Sequence, residues 1–356
     1  MYRLDRIHVA GYKSIRDQTL DLGLLNVLIG ANGAGKSNLM GVFRLLNEIA
    51  EKNLQVFVAQ AGGADRLLHF GRKVTEEIAI DLKFDRGSYS CSLVPTENDR
   101  LIFQSENAYL PVANNSFSFS TGQSESKLLD LTRTPADVPL LTLQQWKVHH
   151  FQDTSVSAKV KQTGDLADNA YLRPDAGNLA AFLYRLQETQ PSAFRTIEDT
   201  VRMVAPFFRR FDLRPDRLNP SKIRLEWQEK DSDTYFHAHD LSDGTLRFIS
   251  LATLLLQPEL PPTVLIDEPE LGLHPYAITV LASLLHAAAS RTQLVVSTQS
   301  VTLVNQLSPE EIIIVDRQDG ESVFRRLTEE EIAGWIDDYS LGELWEKNVL
   351  GGRPHS

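Results

Sequence analysis

The sequence predicts an α/β fold. It reads as a mixed sheet with antiparallel N-terminal strands, a parallel centre, and an inserted lobe of strands followed by helices. Three observations predict it. The short apolar runs "LNVLIG" (25–30), "PTVLIDEPE" (262–270), "TQLVVSTQS" (292–300) and "EEIIIVDR" (310–317) recur at the two ends of the chain, with helical spacing between the later ones. Strands alternating with helices imply parallel pairing through right-handed crossovers. A glycine-rich turn, "GANGAGKS" (30–37), joins a strand to a helix. Between the ends, residues 78–120 alternate with period two, which suits antiparallel strands.

In chain order, "RIHVAGYKSI" (6–15) alternates loosely and "LNVLIG" is a buried strand stopping at glycine. "NLMGVFRLLNEIAE" (38–51) puts Leu39, Val42, Phe43, Leu46 and Ile49 on one helical face. Residues 121–175 are irregular and polar. "GNLAAFLYRLQET" (177–189) and "PSAFRTIEDTVRMVAPFF" (191–208) predict two helices divided at Pro191. "KIRLEWQEK" and "TYFHAHD" predict a hairpin, and helices are expected over 245–256, 276–289 and about 300–307. The expected organisation is one α/β head made of residues 1–84 and 236–320, an inserted lobe over 85–235, and a helical tail over 321–356.

The 356 residues carry a net charge of −11, which argues against generic coating of DNA, because such affinity comes from neutralising phosphates. One cysteine, Cys91, excludes an intramolecular disulfide. No apolar run approaches the roughly 18–20 residues that cross a bilayer. The N-terminal stretch mixes charges among its apolar residues, so no signal peptide is expected. A cytoplasmic protein without membrane contact is the expectation.

Gly30-Ala31-Asn32-Gly33-Ala34-Gly35-Lys36-Ser37 fits G-x-x-x-x-G-K-[ST] at every position. Glycines let backbone N–H groups turn inward around phosphates, Lys36 adds a mobile positive charge, and Ser37 offers a hydroxyl to Mg²⁺ at a helix N-terminus. With Asn38 these residues form the expected nucleotide-binding stretch. Such a site needs a metal-holding acid at the end of a neighbouring strand. Asp267 ends the run "TVLI" and is expected to hold Mg²⁺ through water. Glu268 follows as the expected general base. Farther back, "LSDGTLR" (241–247) opens a helix with a serine, a glycine and an arginine, which reads as a second anion site. Ser242 can accept at the helix start and Gly244 admits close approach of an anion.

These motifs stand in the order seen in ABC-type ATPase heads. "GYKSI" (11–15) and "EPELGLHP" (268–275) are especially similar to the RecF/SMC-like and OLD-like branch. The likeness is strong over 2–50 and 240–316, and loose over 85–235. It implies a P-loop NTPase of ABC-head type binding ATP and Mg²⁺. Leu241–Gly244 would be the signature loop, Leu271–His274 the loop facing a second subunit, and Gln299 the switch residue. Many relatives carry histidine there. Glutamine can position a water but cannot become a cation, so slow hydrolysis is expected. The metal-contacting glutamine of many such heads has no assigned counterpart, with Gln60 as one candidate.

In that family the signature loop of one copy meets the phosphate loop of another. The resemblance thus implies an isologous homodimer with ATP in its interface. OLD-like relatives carry a Toprim nuclease domain, for which the 40 residues after Asp316 are too few. An effector nuclease or toxin, if used, would be a separate chain. The implied roles are DNA repair or antiphage defence, acting on DNA or controlling that effector. The alternatives are an ATP-dependent scaffold with negligible hydrolysis and, less fitting, a transporter's ATPase subunit.

Three weaker signals remain. Arg202, Arg209, Arg210, Arg214, Arg217, Lys222 and Arg224 form a basic run, read first as a solvated face and second as a nucleic-acid or acidic-partner contact. "VHHFQDTS" (148–155) holds two histidines and an aspartate, with no second ligand cluster to make a metal site. The tail shows two capping boxes, Thr328…Glu331 and Ser340…Glu343, beside the apolar residues Ile332, Trp335, Ile336, Leu341, Leu344, Trp345 and Val349.

Overall fold

The computed structural model describes every residue except 1–2, 111–114, 120, 129–141, 336–337 and 353–356; Ile336 lies outside the described residues. In chain order the elements are β1 (Leu4–Tyr12), β2 (Ile15–Asp21), β3 (Leu25–Ile29), α1 (Lys36–Ala50), α2 (Leu54–Gln60), β4 (Ile78–Phe84), β5 (Gly87–Pro95), β6 (Leu101–Leu110) and β7 (Asn115–Ser118). Next come β8 (Val148–His149), β9 (Gly164–Asp165), α3 (Leu179–Thr189), α4 (Pro191–Val204), β10 (Phe208–Phe211), β11 (Lys222–Ile223), β12 (Glu226–Glu229), β13 (Tyr235–His237) and α5 (Asp243–Leu256). The chain ends with β14 (Thr263–Asp267), α6 (Pro275–Ala289), β15 (Gln293–Thr298), α7 (Val301–Val304), β16 (Ile312–Gln318), β17 (Glu321–Arg326), α8 (Glu329–Ile332) and α9 (Leu341–Glu346). The predicted mixed α/β class with antiparallel N-terminal strands is what forms. Among the described residues no helix is long and apolar enough to cross a membrane.

The chain divides into two compact units. The first holds residues 1–148, 261–267 and 292–356. Its antiparallel sheet runs β2-β1-β4-β5-β6-β7, and its second sheet runs β17-β16-β3-β15-β14, with the short β8 at the edge. This moves the expected boundary. Residues 85–118 do not open a separate lobe. β5 pairs with β4 from Ile78↔Leu93 to Phe84↔Gly87, so the N-terminal sheet simply continues.

Every residue of β3 and of β15 is buried, as a central parallel strand covered on both faces requires. One buried amide stitches the two sheets together. Gln293 donates to the Leu4 carbonyl at 2.8 Å and accepts from the Leu4 N–H at 3.1 Å. Within the second sheet, the buried Asn26 amide of β3 donates to Leu294 O of β15 at 3.0 Å. The core joins both sheets to α1 through residues such as Phe43, Leu46, Leu265, Val295 and Val315.

On β1, His8 faces the other way and sits between two carboxylates, Asp81 at 2.9 Å and Asp17 at 3.0 Å. Partial burial works against the charged ring, but hydrogen bonds and attraction from Asp81 and Asp17 outweigh it and raise the His8 pKa. A raised folded pKa adds stability that is complete below the unfolded value of about 6.5 and fades as pH rises through the folded one. His8→Gln should therefore lower the thermal midpoint more at about pH 5.5 than at about pH 8.5. Equal losses at both would contradict this.

The second unit holds residues 149–260 and 268–291. Helices α4, α5 and α6 pack in sequence, with α3 against α4. The expected hairpin forms from β12 and β13, and β10 extends it to three strands. Glu198 of α4 is buried and accepts the Phe211 N–H at 2.8 Å, tying the helix to that sheet.

Candidate functional site

In the first unit the phosphate loop, Asp267 and Gln299 leave one edge of one sheet. β14 and β15 run parallel, with Asp267 opposite Ser297. β15 and β3 run parallel, with Thr298 opposite Ile29. The next residues along β3 and β15 are thus the loop and Gln299. The carboxyl edge of a parallel sheet is where open α/β folds bind ligands.

The loop itself has a supported outside and an open inside. A Cβ on Gly33, whose φ is +78°, would meet nothing within 4 Å. One on Gly35 would fall 2.0 Å from Ser322 Oγ, so the start of β17 presses on the loop where only glycine fits. Ser322 Oγ donates to Ala34 O at 2.6 Å, and Arg317 donates to Gly33 O at 3.0 Å. Lys36 is buried, and its Nζ donates to Gly30 O at 2.5 Å and Ala31 O at 3.0 Å. No side chain caps the N-terminus of α1, and Ser37 is exposed in its first turn. An uncapped helix start carries N–H donors and a partial positive charge, which suit a phosphate. Asn38 faces elsewhere: its amide donates to Ser14 Oγ at 2.5 Å and so ties the "GYKSI" turn to α1. The hydroxyl of Ser297 donates to Asp267 Oδ1. Ser37 and Asp267 are hard oxygen donors, the chemistry Mg²⁺ takes.

Glu268 begins the next segment, in the second unit. Its φ is +47°, a left-handed conformation costing about 1–3 kcal/mol for a residue other than glycine. Such strain persists where the surroundings over-determine it, commonly at functional positions. Gln152 supplies one constraint: its Nε2 donates to Glu268 Oε2 at 2.8 Å. "VHHFQDTS" is thus a loop that addresses the glutamate. Among the described residues no cluster of three metal-ligating side chains occurs. Gln60 is exposed at the end of α2.

Ser242 caps α5, accepting from the Thr245 N–H at 3.2 Å. Gly244 has a separate reason to be glycine, since a Cβ there would fall 2.4 Å from Gly272 O. The first turn of α5 therefore lies directly against the 271–274 loop. Arg247 corrects the sequence reading. It does not join an anion site but donates to Gln152 O at 2.8 Å, Leu271 O and Phe151 O at 3.2 Å, and Thr154 Oγ1 at 3.1 Å. One guanidinium binds the Gln152 loop and the 271–274 loop to α5. Hydrogen bonds from a charged donor contribute about 1.5–3 kcal/mol each, non-additively. Arg247→Met should cost about 2–4 kcal/mol of stability. Calorimetry showing an unchanged midpoint would refute the role.

Four of the seven residues of the basic run pair with carboxylates. Arg202 pairs with Asp199 and Glu198, Arg214 with Asp212, Lys222 with Asp165, and Arg224 with Glu226. The reading as a solvated, paired face is the one these contacts favour.

With this geometry in place, the comparisons with known proteins become specific. The family described as "AAA domain, putative AbiEii toxin, Type IV TA system" matches residues 25–305. The chain belongs to this family. Its members' ABC/SMC-like P-loop ATPase domain covers most of the chain, including residues 30–37, α5 and Asp267–Glu268. No curated protein matches the sequence. Among solved structures, an Smc head bound to the C-terminal winged-helix domain of ScpA aligns with TM-score 0.58 at 16% identity, over 93% of this chain and 99% of that one. An Smc head with an extended coiled coil from Pyrococcus furiosus, bound to the C-terminal domain of ScpA, aligns with TM-score 0.58 at 14% identity, over 95% and 99%. A third, from Pyrococcus yayanosii, has TM-score 0.54 at 12% identity, over 95% and 99%. These likenesses establish the SMC-head type of fold.

Proposed function

We propose that the chain binds ATP with Mg²⁺ and hydrolyses it in a homodimer whose nucleotide sites are shared between copies. The observation that carries this reading is the junction Asp267–Glu268. Asp267 stands at the same sheet edge as the phosphate loop and is oriented by Ser297. Glu268 follows in a strained conformation, held by Gln152.

Gly30–Ser37 would hold the phosphates and Lys36 would move from its loop carbonyls to them. Ser37 and Asp267 would hold Mg²⁺, which would supply charge neutralisation on the phosphates. Glu268 would take the proton of the attacking water, and Gln299 would help to position that water. Gln152, which donates to Glu268, would take the glutamine role left unassigned by sequence. Ser242 and Gly244 would face the nucleotide of the second copy. ATP would favour the closed dimer and hydrolysis would release it.

The cycle would act on DNA or control a separately encoded effector. The toxin–antitoxin description of the family supports an effector, and the carboxylates beside Arg202, Arg214, Lys222 and Arg224 weaken direct DNA binding. The two Smc heads bound to ScpA domains are precedents for a protein partner docking on such a body. A second reading, a scaffold joined by ATP with negligible turnover, rests on Gln299, which cannot become the cation that histidine supplies.

Lys36→Ala should weaken binding of a fluorescent ATP analogue by about tenfold or more, since a charged phosphate contact is lost. Parent protein that neither binds ATP nor turns it over would contradict the proposal.

A further inference from the structure

The sequence left the residues after α8 without a role. Their course in the first unit is specific. α9 buries Leu341, Leu344 and Trp345 and packs on α7, the short helix that starts two residues beyond Gln299. The contact is close: the Gly342 N–H donates to Asn305 Oδ1 at 2.6 Å, and a Cβ on Gly342 would fall 2.7 Å from Val301 Cγ1. The chain then passes β17, where Arg325 donates to Leu350 O at 2.5 Å. It ends this course on the phosphate loop, where Gly352 O accepts the Ala31 N–H at 2.6 Å.

Covering an apolar surface would need only α9 and Leu350. The glycine pair does something else. Gly351 and Gly352 have φ of +79° and +78°, a conformation that L side chains disfavour. A Cβ on Gly352 would sit 3.3 Å from Val315 O and 3.5 Å from Gly30 Cα. The pair lets this segment turn onto the loop backbone. Ala31 is the meeting point. Its N–H is taken by Gly352, and its C=O accepts from the Lys36 ammonium at 3.0 Å.

We propose that residues 341–352 form a positioning strap for the nucleotide site, joining the helix after Gln299 to the outer turn of the phosphate loop. The strap holds Ala31, and through it the resting place of Lys36, in the shape that receives phosphates. Binding couplings are reciprocal. A strap that favours ATP binding is itself held more firmly when ATP is bound, so the nucleotide state is reported on the surface through α9. This rests on the nucleotide reading above.

Two variants and one exchange measurement test it. Gly352→Val should weaken binding of a fluorescent ATP analogue with Mg²⁺ about tenfold, within the usual range of site couplings. Asn305→Ala, which removes only the acceptor under α9 and touches no loop residue, should weaken it about threefold. In both, amide exchange of residues 28–33 should quicken while β1 and β4 stay as protected as in the parent. In the parent, ATP should slow exchange over 341–352. Parent-like affinity in both variants, or strap exchange indifferent to ATP in a protein that binds it, would overturn the strap. If the parent binds no ATP, the nucleotide reading fails by itself, and quickened exchange at 28–33 in the variants still reports whether the strap holds the loop.

Discussion

Glu268→Gln should cut ATP turnover by about a hundred- to ten-thousand-fold, the usual contribution of a general base, while leaving ATP binding intact. The substitution keeps size and hydrogen-bonding reach, so Gln152 retains a partner at 268 and the left-handed backbone is undisturbed. What it would lose is the proposed acceptor for the proton of the attacking water. On the proposed cycle, in which hydrolysis releases the closed dimer, this variant should accumulate that dimer when ATP is added. Light scattering with ATP and Mg²⁺ should report twice the monomer mass, beside a phosphate-release rate near background. Turnover at the parent rate would remove Glu268 from the mechanism. Negligible turnover in the parent itself would favour the scaffold reading.

Ser242→Arg should separate binding from catalysis. The phosphate loop, Lys36 and Asp267 belong to the first unit and Ser242 to the second, so affinity of a single chain for ATP should stay within about twofold of the parent. Dimer formation with ATP should fail, because a long charged side chain replaces the small cap at the turn proposed to meet the partner's nucleotide. Turnover should fall with it, by about a hundredfold or more, as when a transition-state contact is removed. Losing the cap that accepts from the Thr245 N–H should cost about 1 kcal/mol of stability. That is too little to unfold an ordinary domain. A variant that hydrolyses ATP like the parent would reduce Ser242 to a helix cap.

What was legible in the sequence follows from how local each signal is. The phosphate loop is a contiguous motif whose strand and helix flank it, so β3, the turn and α1 could be read together. The parallel strands were legible because full burial demands uninterrupted apolar runs. Asp267 was placed by the end of such a run. The pairing partners of strands were not legible. β4 and β5 looked like the two sides of a domain boundary, and only their ladder shows one sheet. Gln152 was invisible because its partner Glu268 is 116 residues away. Arg247 was misread for the opposite reason. Its neighbours Ser242 and Gly244 suggest an anion, but four distant oxygen atoms occupy its guanidinium. The capping box at Ser340 was correctly read as a helix start, yet nothing local says that the chain beyond it turns onto Ala31.

On the proposed reading each nucleotide site is built from two copies. That reading is tested most directly by mixing two inactive variants, Lys36→Ala and Ser242→Arg. In a mixed dimer one site carries both defects, and the other joins an intact phosphate loop to an intact signature loop. On the shared-site reading turnover returns on mixing equal amounts, to a fraction of the parent rate, because only the mixed dimer holds an intact site. A mixture as inactive as its components would contradict the account.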